Sequence, residues 1–285
     1  MKMKNPPLFL LPSLIVLLFI TIFPLAYVFY ISLCDYVLYR ANPYPIFNGF
    51  NNYLVMVFDP EFYYALLRSL YMMGLALAIE FPVGLIIALS IQRITIGKSF
   101  FSILMVIPLA LPPVVVAIMF RIMYNPIIGV FNYFLKMIGI AERLWLDSVV
   151  EVIPSLAIVD AYIWTPFIVL VLLSGLNSLP KEQYEAAMID GASSWQIFRR
   201  ITIPLLMPFI IIALLFRIMG LLGTFDIILA STGGGPGTAS QTLYYYAYSV
   251  TFTYLNFGYG SALTVVLLYL MVIISLIILK YVKIM

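Results

Sequence analysis

Six long stretches of the chain are almost entirely apolar, and polar or charged residues collect between them. The stretches cover residues 8–33, 69–91, 100–123, 152–176, 203–222 and 261–279. About 20 residues of α-helix, each rising about 1.5 Å, cross the roughly 30 Å of a bilayer's hydrocarbon. The pattern therefore predicts an all-α integral membrane protein with six transmembrane helices in a single domain, residues 1–285. The first stretch exceeds a signal-peptide core and lacks a small-x-small cleavage site, so we interpret it as a retained span.

The basic residues between the spans predict the orientation of the chain. With six spans, both termini lie on one side, which holds nine basic residues: Lys2, Lys4, Arg93, Lys98, Lys181, Arg199, Arg200, Lys280 and Lys283. The opposite loops hold five: Arg40, Arg68, Arg121, Lys136 and Arg143. The positive-inside rule then places both termini in the cytoplasm of a multi-pass protein of the cell (inner or plasma) membrane.

Composition excludes several classes of function. The chain is 64% hydrophobic and 9% charged, whereas soluble domains carry about 25% charged residues. It contains no histidine, and Cys34 is its single cysteine, so a His/Cys metal site and an internal disulfide are excluded. We expect no catalytic residue and no metal ligand in this chain. The net charge of +3 argues against a nucleic-acid partner.

The segment between the fifth and sixth spans is rich in glycine and tyrosine. Three consecutive glycines, 233–235, precede Pro236. The tyrosines that follow are Tyr244, Tyr245, Tyr246, Tyr248, Tyr254 and Tyr259. An aromatic belt at the outer membrane interface is the favoured explanation. The alternative is a short helix or re-entrant piece that lines the outer mouth of a path.

The loop between the fourth and fifth spans, residues 177–203, has a helical pattern of its own. Ser178 can cap a first short helix, with Pro180 in its first turn. Gly191 supplies a left-handed stop, and Ser193 can cap a second short helix before Pro204 opens the fifth span. The sequence thus predicts two short cytoplasmic helices hinged at a glycine.

Both short helices carry large apolar side chains at helical spacing. Tyr184 and Met188 are four residues apart on the first helix, and Trp195 and Phe198 are three apart on the second. Such side chains suit a close-fitting protein interface. They are equally consistent with contact to the membrane surface or the underside of the bundle, and the pattern alone leaves both interpretations open.

The same loop resembles the signature loop of permease subunits in binding-protein-dependent ABC importers. That family's pattern is EAA, three residues, G, nine residues and I-x-L-P. Here Glu185-Ala186-Ala187 is followed by Gly191 and then by Ile201-x-Ile203-Pro204, with every spacing matched. Ile203 stands where the family usually has Leu, which conserves volume. The run 190–193, Asp-Gly-Ala-Ser, is also similar to the family's usual sequence.

Further motifs resemble the carbohydrate-uptake branch of that family. They are Pro12 and Pro24, Phe47-x-Gly49-x-x-Asn52-Tyr53, Phe225-Asp226, the Thr-Gly-Gly-Gly-Pro run 232–236, and Thr242-Leu243. The Gly-Gly-Pro segment is typical of the maltose-F or glycerol-phosphate-A type of subunit. That resemblance implies a heterodimer with a second, related permease subunit.

The resemblance also implies how the chain is driven. Members of the family bind no nucleotide themselves, and ATP and Mg²⁺ are held by two separate ATP-binding subunits. An extracytoplasmic solute-binding protein delivers the solute. Motif position carries docking to the ATPase onto Glu185, Ala186, Ala187 and Gly191. With their neighbours, the predicted docking residues are Tyr184, Glu185, Ala186, Ala187, Met188, Asp190, Gly191, Trp195 and Phe198.

Ionisable residues at membrane depth are expensive and usually face a cavity or a partner. Glu80 lies mid-span in the second helix and Arg217 deep in the fifth, while Asp160 and Asp226 lie near span ends. A structural Glu80–Arg217 pair and the lining of a polar path are both open. Trp164, with its neighbouring aromatics, can stack on a sugar ring. The predicted path residues are Glu80, Tyr162, Trp164, Phe167, Arg217 and Asp226.

Two rival functions remain. An ion-gradient-driven secondary carrier would use Glu80, Arg217 and Asp226, and a membrane-embedded lipid enzyme would need an acid/base set that the sequence lacks.

The run Gly97-Lys98-Ser99 matches the end of a phosphate-binding loop. Position 92, where that motif requires its first glycine, is Gln92. A solvated, positive-inside lysine therefore explains Lys98 better.

Overall fold

The computed structural model describes residues 6–41, 43–94 and 96–282. Lys2, Lys4 and Lys283, used above for orientation, lie outside these ranges. The described chain is mostly helical and divides into two compact units. The first contains the residues up to Tyr64 together with 246–270, and the second contains 65–245 together with the residues from 271 onward.

The first unit begins with a helical stretch that matches the first predicted span. Helix α1 (Pro6–Leu17) continues through a π-helical segment (Leu18–Ile22) into α2 (Phe23–Ser32). Strands β1 (Cys34–Asp35) and β2 (Ile46–Phe47) pair antiparallel, and α3 (Asn51–Val57) follows. The buried Asn52 amide donates to the backbone carbonyls of Ser32 and Cys34, at 2.9 and 2.8 Å. These bonds fix α3 against the end of α2.

The second unit holds the longest helices of the middle of the chain. They are α4 (Pro60–Arg93, which starts in the first unit), α5 (Lys98–Ala110), α6 (Pro113–Met123), α7 (Val130–Met137), α8 (Val152–Ser178) and α11 (Ile203–Leu222). Two short helices, α12 (Asp226–Ser231) and α13 (Leu243–Tyr248, which ends in the first unit), precede α14 (Phe257–Val282). Helix α14 runs from the first unit into the second.

Helix α8 is the most buried of the apolar helices because it packs against several others at once. It contacts α5, α6, α11 and α12. A Cβ added at Gly84 of α4 would lie 2.7 Å from Ile168 of α8, and one at Gly175 of α8 would lie 2.6 Å from Phe209 of α11. Small residues at these crossings let the helix backbones approach closely. The approach brings side chains of α4, α8 and α11 within reach of one another.

Five described helical stretches are long and apolar enough to cross a membrane, and a sixth span results if one bent pair counts as a single crossing. The bent pair is α5 and α6, which meet at 88°. The expectation of one continuous helix over 100–123 is therefore wrong. Leu111 and Pro112 adopt extended backbone because a residue that precedes proline disfavours the α conformation, and each of these two precedes a proline.

The loop 177–203 forms two short helices, as predicted, with one difference at its start. Helix α9 (Lys181–Ile189) ends before Gly191, whose φ is +76°, and α10 (Ser194–Ile197) follows. Ser193 and Gln196 form a reciprocal capping box at its start. The prediction that Ser178 caps the first helix is wrong: α8 extends through Ser178, whose hydroxyl donates to the Gly175 carbonyl at 2.7 Å.

The second short helix, α10, continues at its C-terminal end into the next long helix. A π-helical segment (Phe198–Thr202) joins α10 to α11, so residues 194–222 form one helical stretch. Pro204 lies in the first turn of α11, and because proline has no N–H, it cannot donate a helical hydrogen bond to the preceding turn. Helix α10 is continuous with the fifth predicted span.

Candidate functional site

Three ionisable side chains from three different helices meet in the interior of the second unit. Arg217 of α11 donates through Nε and Nη2 to the two carboxylate oxygens of Glu80 on α4, both at 2.7 Å. Its Nη2 also donates to Oδ2 of Asp160 on α8. Their exposed fractions are 0% for Glu80, 1% for Asp160 and 2% for Arg217. We call these three residues the ion cluster.

The ion cluster contains the Glu80–Arg217 pair that the sequence left open. A bidentate Arg–carboxylate pair is geometrically specific and strong, so the structural Glu80–Arg217 pair is confirmed. Among the described residues, Asp160 Oδ1 is buried without a hydrogen-bond partner. Three helices are thus tied together by a cluster that keeps one acceptor unused.

An aromatic side chain covers the cluster. The Trp164 ring lies 4.9 Å from the Arg217 guanidinium carbon, within the range of a cation–π contact. Phe167 meets Trp164 edge to face, with ring centroids 6.4 Å apart. Four predicted path residues, Glu80, Trp164, Phe167 and Arg217, therefore lie together.

The other two predicted path residues lie outside the ion cluster. Tyr162 is 41% exposed, and its ring packs against Phe120 at 5.3 Å. Asp226 is exposed at the first residue of α12. Sequence reasoning placed Asp160 near a span end and omitted it from the path residues. Its spacing of four from Trp164, which puts both on one helix face, is the signal that could have found it.

The predicted docking residues present a largely exposed surface. Trp195 is 66% exposed, Met188 60% and Ile189 87%, and Glu185, Ala186, Asp190 and Gly191 are also exposed. We call the exposed side chains of Glu185, Met188, Ile189 and Trp195 the coupling surface. Ala187 is half-buried.

The remaining predicted docking residues pack behind the coupling surface. Trp195 and Phe198 stack with ring centroids 5.5 Å apart. The half-buried Tyr184 donates its hydroxyl to Thr202 Oγ1 at 3.1 Å, which ties α9 to the segment before α11. Tyr184, Trp195 and Phe198 also line an open groove of about 600 Å³ with the end of α4. The aromatics thus have defined positions although one of them faces outward.

Part of the tyrosine-rich segment is buried, which the interfacial-belt interpretation does not explain. Tyr245, Tyr246 and Tyr259 are at most 9% exposed. Tyr246 and Tyr259 donate to Oδ2 of Asp59 in the first unit, at 2.7 and 2.5 Å. Burial, with the adjacent Asp59 carboxylate, raises the pKa of Tyr246. The short helix of the alternative interpretation is present as α13.

Named relatives share most of the chain. The trehalose/maltose transport system permease protein MalF of Thermococcus litoralis is 36% identical over 236 residues, which is 83% of this chain and 79% of the relative. The trehalose transport system permease protein SugA of Mycobacterium tuberculosis is 32% identical over 237 residues, 81% of this chain and 74% of the relative. The sulfoquinovosyl glycerol transport system permease protein SmoG of Agrobacterium fabrum is 33% identical, with 97% and 89% covered.

A solved structure and a family description agree with these relatives. A chain from the crystal structure of a bacterial ABC transporter involved in the import of the acidic polysaccharide alginate has a TM-score of 0.81. It is 22% identical, with 96% of this chain and 93% of that chain covered, and it shows the shared fold. Residues 80–283 match the family described as the binding-protein-dependent transport system inner membrane component. This chain belongs to that family and is a permease component of an ABC importer.

Proposed function

We propose that the chain is one permease half of an ATP-driven importer for a sugar or a related polyol. The relatives named for trehalose, maltose and sulfoquinovosyl glycerol transport support this class of solute. The chain itself has no catalytic site in this proposal and binds no cofactor. Its partners are a second, related permease subunit, two ATP-binding subunits that hold ATP and Mg²⁺, and an extracytoplasmic solute-binding protein.

The proposed topology has six spans, with α5 and α6 counted as one bent crossing. Both termini then lie in the cytoplasm, and residues 1–285 form one transmembrane domain that includes the coupling region, 177–203. The excess of basic residues on the side of the termini supports this orientation. The loop 177–203 then faces the compartment that contains ATP.

The observation that carries the proposal is the coupling surface. A tryptophan that is 66% exposed beside small alanines, on two helices hinged at a left-handed glycine, fits the cleft of a protein partner. Glu185 offers a carboxylate to a donor on the ATPase. The other docking residues named above complete the contact.

The helical continuity of residues 194–222 supports a mechanism of force transmission. Closure of the ATPase on ATP would move α10, and the same helix carries Arg217 of the ion cluster. Movement of the docking loop would therefore reach the interior of the membrane without an intervening flexible joint. We propose that this linkage turns the path from one side of the membrane to the other.

The proposed path residues are Glu80, Tyr162, Trp164, Phe167, Arg217 and Asp226. Trp164 is half-buried, so one face of its ring is held over Arg217 while part of the ring stays open. An aromatic face suits the apolar C–H face of a sugar ring. The ion cluster would hold this ring in place, and Tyr162 and Asp226 would line other parts of the route.

The proposal is tested by Gly191→Pro in the full chain, co-purified with its ATPase. Proline requires φ near −65°, whereas Gly191 has φ of +76° and donates its N–H to Met188 at 3.1 Å. We expect loss of ATPase co-purification and of ATP-driven uptake, with the membrane spans intact. Gly139→Pro is a matched control because Gly139 has the same φ and donates to Lys136 at 3.1 Å.

The control separates local strain from loss of the docking geometry. Gly139→Pro introduces the same backbone conflict outside the coupling region, so the ATPase should still co-purify. Full ATPase binding and transport by Gly191→Pro would reject the docking assignment. Accumulation of solute by the purified chain alone, driven by an ion gradient, would establish the secondary carrier instead.

A further inference from the structure

The ion cluster contains more acidic groups than basic ones. Glu80 and Asp160 are both acids, and Arg217 is the cation that they share. If both acids were ionised, two negative charges would face one positive charge. Each of the three side chains is at most 2% exposed, so water does not compensate the difference. A buried charge without a partner is strongly destabilising, so the cluster calls for one more positive charge.

Among the described side chains of the helices packed against α8, none supplies that charge. These helices are α5, α6, α11 and α12. At the end of α6, Arg121 is exposed and the buried Tyr124 hydroxyl donates to a backbone carbonyl of α8, while Asp226 on α12 is exposed. Residues 100–110 of α5 include no ionisable side chain. Within the described ranges, Arg217 is the one basic side chain that forms an ion pair with either acid of the cluster.

The two acids of the cluster are bonded unequally. Glu80 accepts an N–H at each carboxylate oxygen, both at 2.7 Å. Asp160 accepts from Arg217 through Oδ2 alone, and its buried Oδ1 has no hydrogen-bond partner among the described residues. An ionised carboxylate accepts through both oxygens, whereas a protonated carboxyl keeps an O–H donor. This geometry fits a charged Glu80 beside a neutral Asp160.

The two carboxyl groups also lie close to each other. The same Nη2 of Arg217 donates to Oε1 of Glu80 and to Oδ2 of Asp160, and the two carboxyl groups are within hydrogen-bond reach of each other. Ionised carboxylates only accept hydrogen bonds, so a bond between the two requires a proton on one of them. Carboxyl pairs at such distances share one proton because like charges cannot both ionise there.

We infer that the ion cluster is a binding site for one proton, which Asp160 carries and donates to Glu80. The proton comes from bulk water when the chain folds, and the cluster is then neutral because Arg217 balances Glu80. An O–H···O⁻ bond is among the strong hydrogen bonds of proteins, and a proton needs no cavity between the two acids. The inference follows from the buried geometry and does not rest on the proposed function.

Infrared difference spectroscopy of the purified chain, in a detergent without ester groups, detects this proton directly. The carbonyl stretch of a protonated carboxyl is separate from the two stretches of a carboxylate. We expect the unsubstituted protein to show a protonated-carboxyl band at pH 7 that is lost in Asp160→Asn. Asp147→Asn is the matched control, because Asp147 is exposed in the same unit. Its difference spectrum should contain only the bands of a lost carboxylate.

Glu80→Gln tests whether the proton depends on both acids. In this variant Asp160 is the remaining anion for Arg217, which already donates to it. Asp160 should therefore release its proton, and the protonated-carboxyl band should disappear although Asp160 is still present. A band that persists in Glu80→Gln would show that burial alone protonates Asp160, and the shared site would be rejected.

The pH dependence of stability gives a second measurement that requires only Asp160→Asn to fold. An aspartate in the unfolded chain is ionised above about pH 4, so the unsubstituted protein must take up a proton to fold, and its stability falls as the pH rises. Asp160→Asn takes up none at this position. The Tm of Asp160→Asn minus that of the unsubstituted protein should therefore increase steadily from about pH 5 to about pH 8, whereas the corresponding difference for Asp147→Asn should stay constant.

Three further results would overturn the inference. They are a difference spectrum of Asp160→Asn without a protonated-carboxyl band, a Tm difference that does not change with pH, and a sodium-dependent Tm. The last would be a higher Tm of the unsubstituted protein, but not of Asp160→Asn, in sodium chloride than in choline chloride at equal ionic strength, and it would make the ligand a metal cation. All of these measurements use the chain without ATPase or solute, so their failure is distinct from failure of ATP-driven uptake, which tests the proposed function.

Discussion

The ion cluster and the coupling surface depart from the usual distribution of side chains in opposite directions. At the cluster, two carboxylates and a guanidinium are almost completely removed from solvent. At the coupling surface, Trp195 and Ile189 are exposed although they are large and apolar. The two regions share one helical stretch, because Trp195 and Arg217 both lie within residues 194–222.

The two regions differ in where their unusual side chains find partners. The buried charges find their partners within this chain, in hydrogen bonds of 2.7 Å between Glu80 and Arg217. The exposed apolar side chains find only part of their cover here, since Trp195 stacks on Phe198 yet remains 66% exposed. We therefore expect substitutions in the cluster to act on folding, and substitutions on the surface to act on assembly.

The largest expected effect belongs to Arg217→Gln, which tests whether the cluster acts on folding. It would leave two buried carboxylates without their cation, and removing one partner of a buried pair costs about 3–5 kcal/mol. We expect a strong loss of monodisperse protein after detergent extraction and a lower Tm by tryptophan fluorescence. Arg217→Lys keeps the charge and loses the bidentate geometry. Its Tm should therefore lie between those of Arg217→Gln and the unsubstituted protein.

The more exposed pair of Arg143 and Glu151 is a matched control. Its atoms are 2.9 Å apart and the two side chains are 53% and 26% exposed, so Arg143→Gln should cost less than Arg217→Gln, about 1 kcal/mol. Equal stability of Arg217→Gln and the unsubstituted protein would show that the cluster does not hold the three helices together.

Trp195→Ala has the second largest expected effect, and it tests whether the coupling surface contributes to assembly with the ATPase. A buried aromatic at the centre of an interface contributes about 2 kcal/mol or more, so the ATPase should bind roughly thirtyfold more weakly. The Tm of the isolated chain should change little, because the ring has little cover within the chain. Phe134→Ala is the control, since Phe134 is 58% exposed in a different region and its loss should leave ATPase affinity unaltered.

Trp164→Ala has a smaller expected effect and asks whether the ion cluster also serves transport. Removing the ring loses a cation–π contact with Arg217 worth about 0.5–2 kcal/mol, together with the proposed platform for a sugar. We expect ATP-driven uptake of the native solute to fall about tenfold while the complex still assembles, and Trp164→Phe to recover part of it. Normal uptake kinetics in Trp164→Ala would remove this residue from the path.

Much of this arrangement could be predicted from the sequence because local patterns determine it. The hinge at Gly191 and the cap at Ser193 each depend on residues a few positions apart, and both are present. The bend between α5 and α6 was also encoded locally, by consecutive prolines at 112 and 113, but hydropathy alone favoured a continuous span.

The composition of the ion cluster could be predicted only in part because it depends on how distant helices cross. Glu80 and Arg217 are 137 residues apart in sequence, and Asp160 joins them from a third helix. The crossings rest on close approaches at Gly84 and Gly175, which no periodicity identifies. Likewise, the partnership of Asp59 with Tyr246 joins residues 187 apart, so a belt of tyrosines was the natural expectation.

The hydrogen bond between Tyr246 and Asp59 gives the smallest expected effect. It is intermediate between the ion cluster and the coupling surface, because a charged group is partly buried and bonded to neutral donors. Asp59 is half-buried, and its Oδ2 accepts from the neutral hydroxyls of Tyr246 and Tyr259. Tyr246→Phe removes one of two donors to a charged group, so we expect a loss of about 1 kcal/mol in the free energy of unfolding. The buried Cys34 thiol lies in the same unit, so its labelling rate during heating measures the loss at pH 8.

The stability difference between the unsubstituted protein and Tyr246→Phe depends on pH. This dependence shows whether the folded protein favours the neutral phenol of Tyr246 or its phenolate. Because the pKa of Tyr246 is raised in the folded protein, its contribution is complete below the unfolded value of about 10 and declines above it. The Tm gap between the unsubstituted protein and Tyr246→Phe, followed by circular dichroism, should therefore be constant from pH 7 to about 9 and narrow above about pH 10. A gap that widened instead would mean that the phenolate is the favoured partner. Asp59 would then need a cation, as Glu80 does. The contrast between Asp59, which accepts from neutral hydroxyls, and Glu80, which pairs with a cation, would no longer hold.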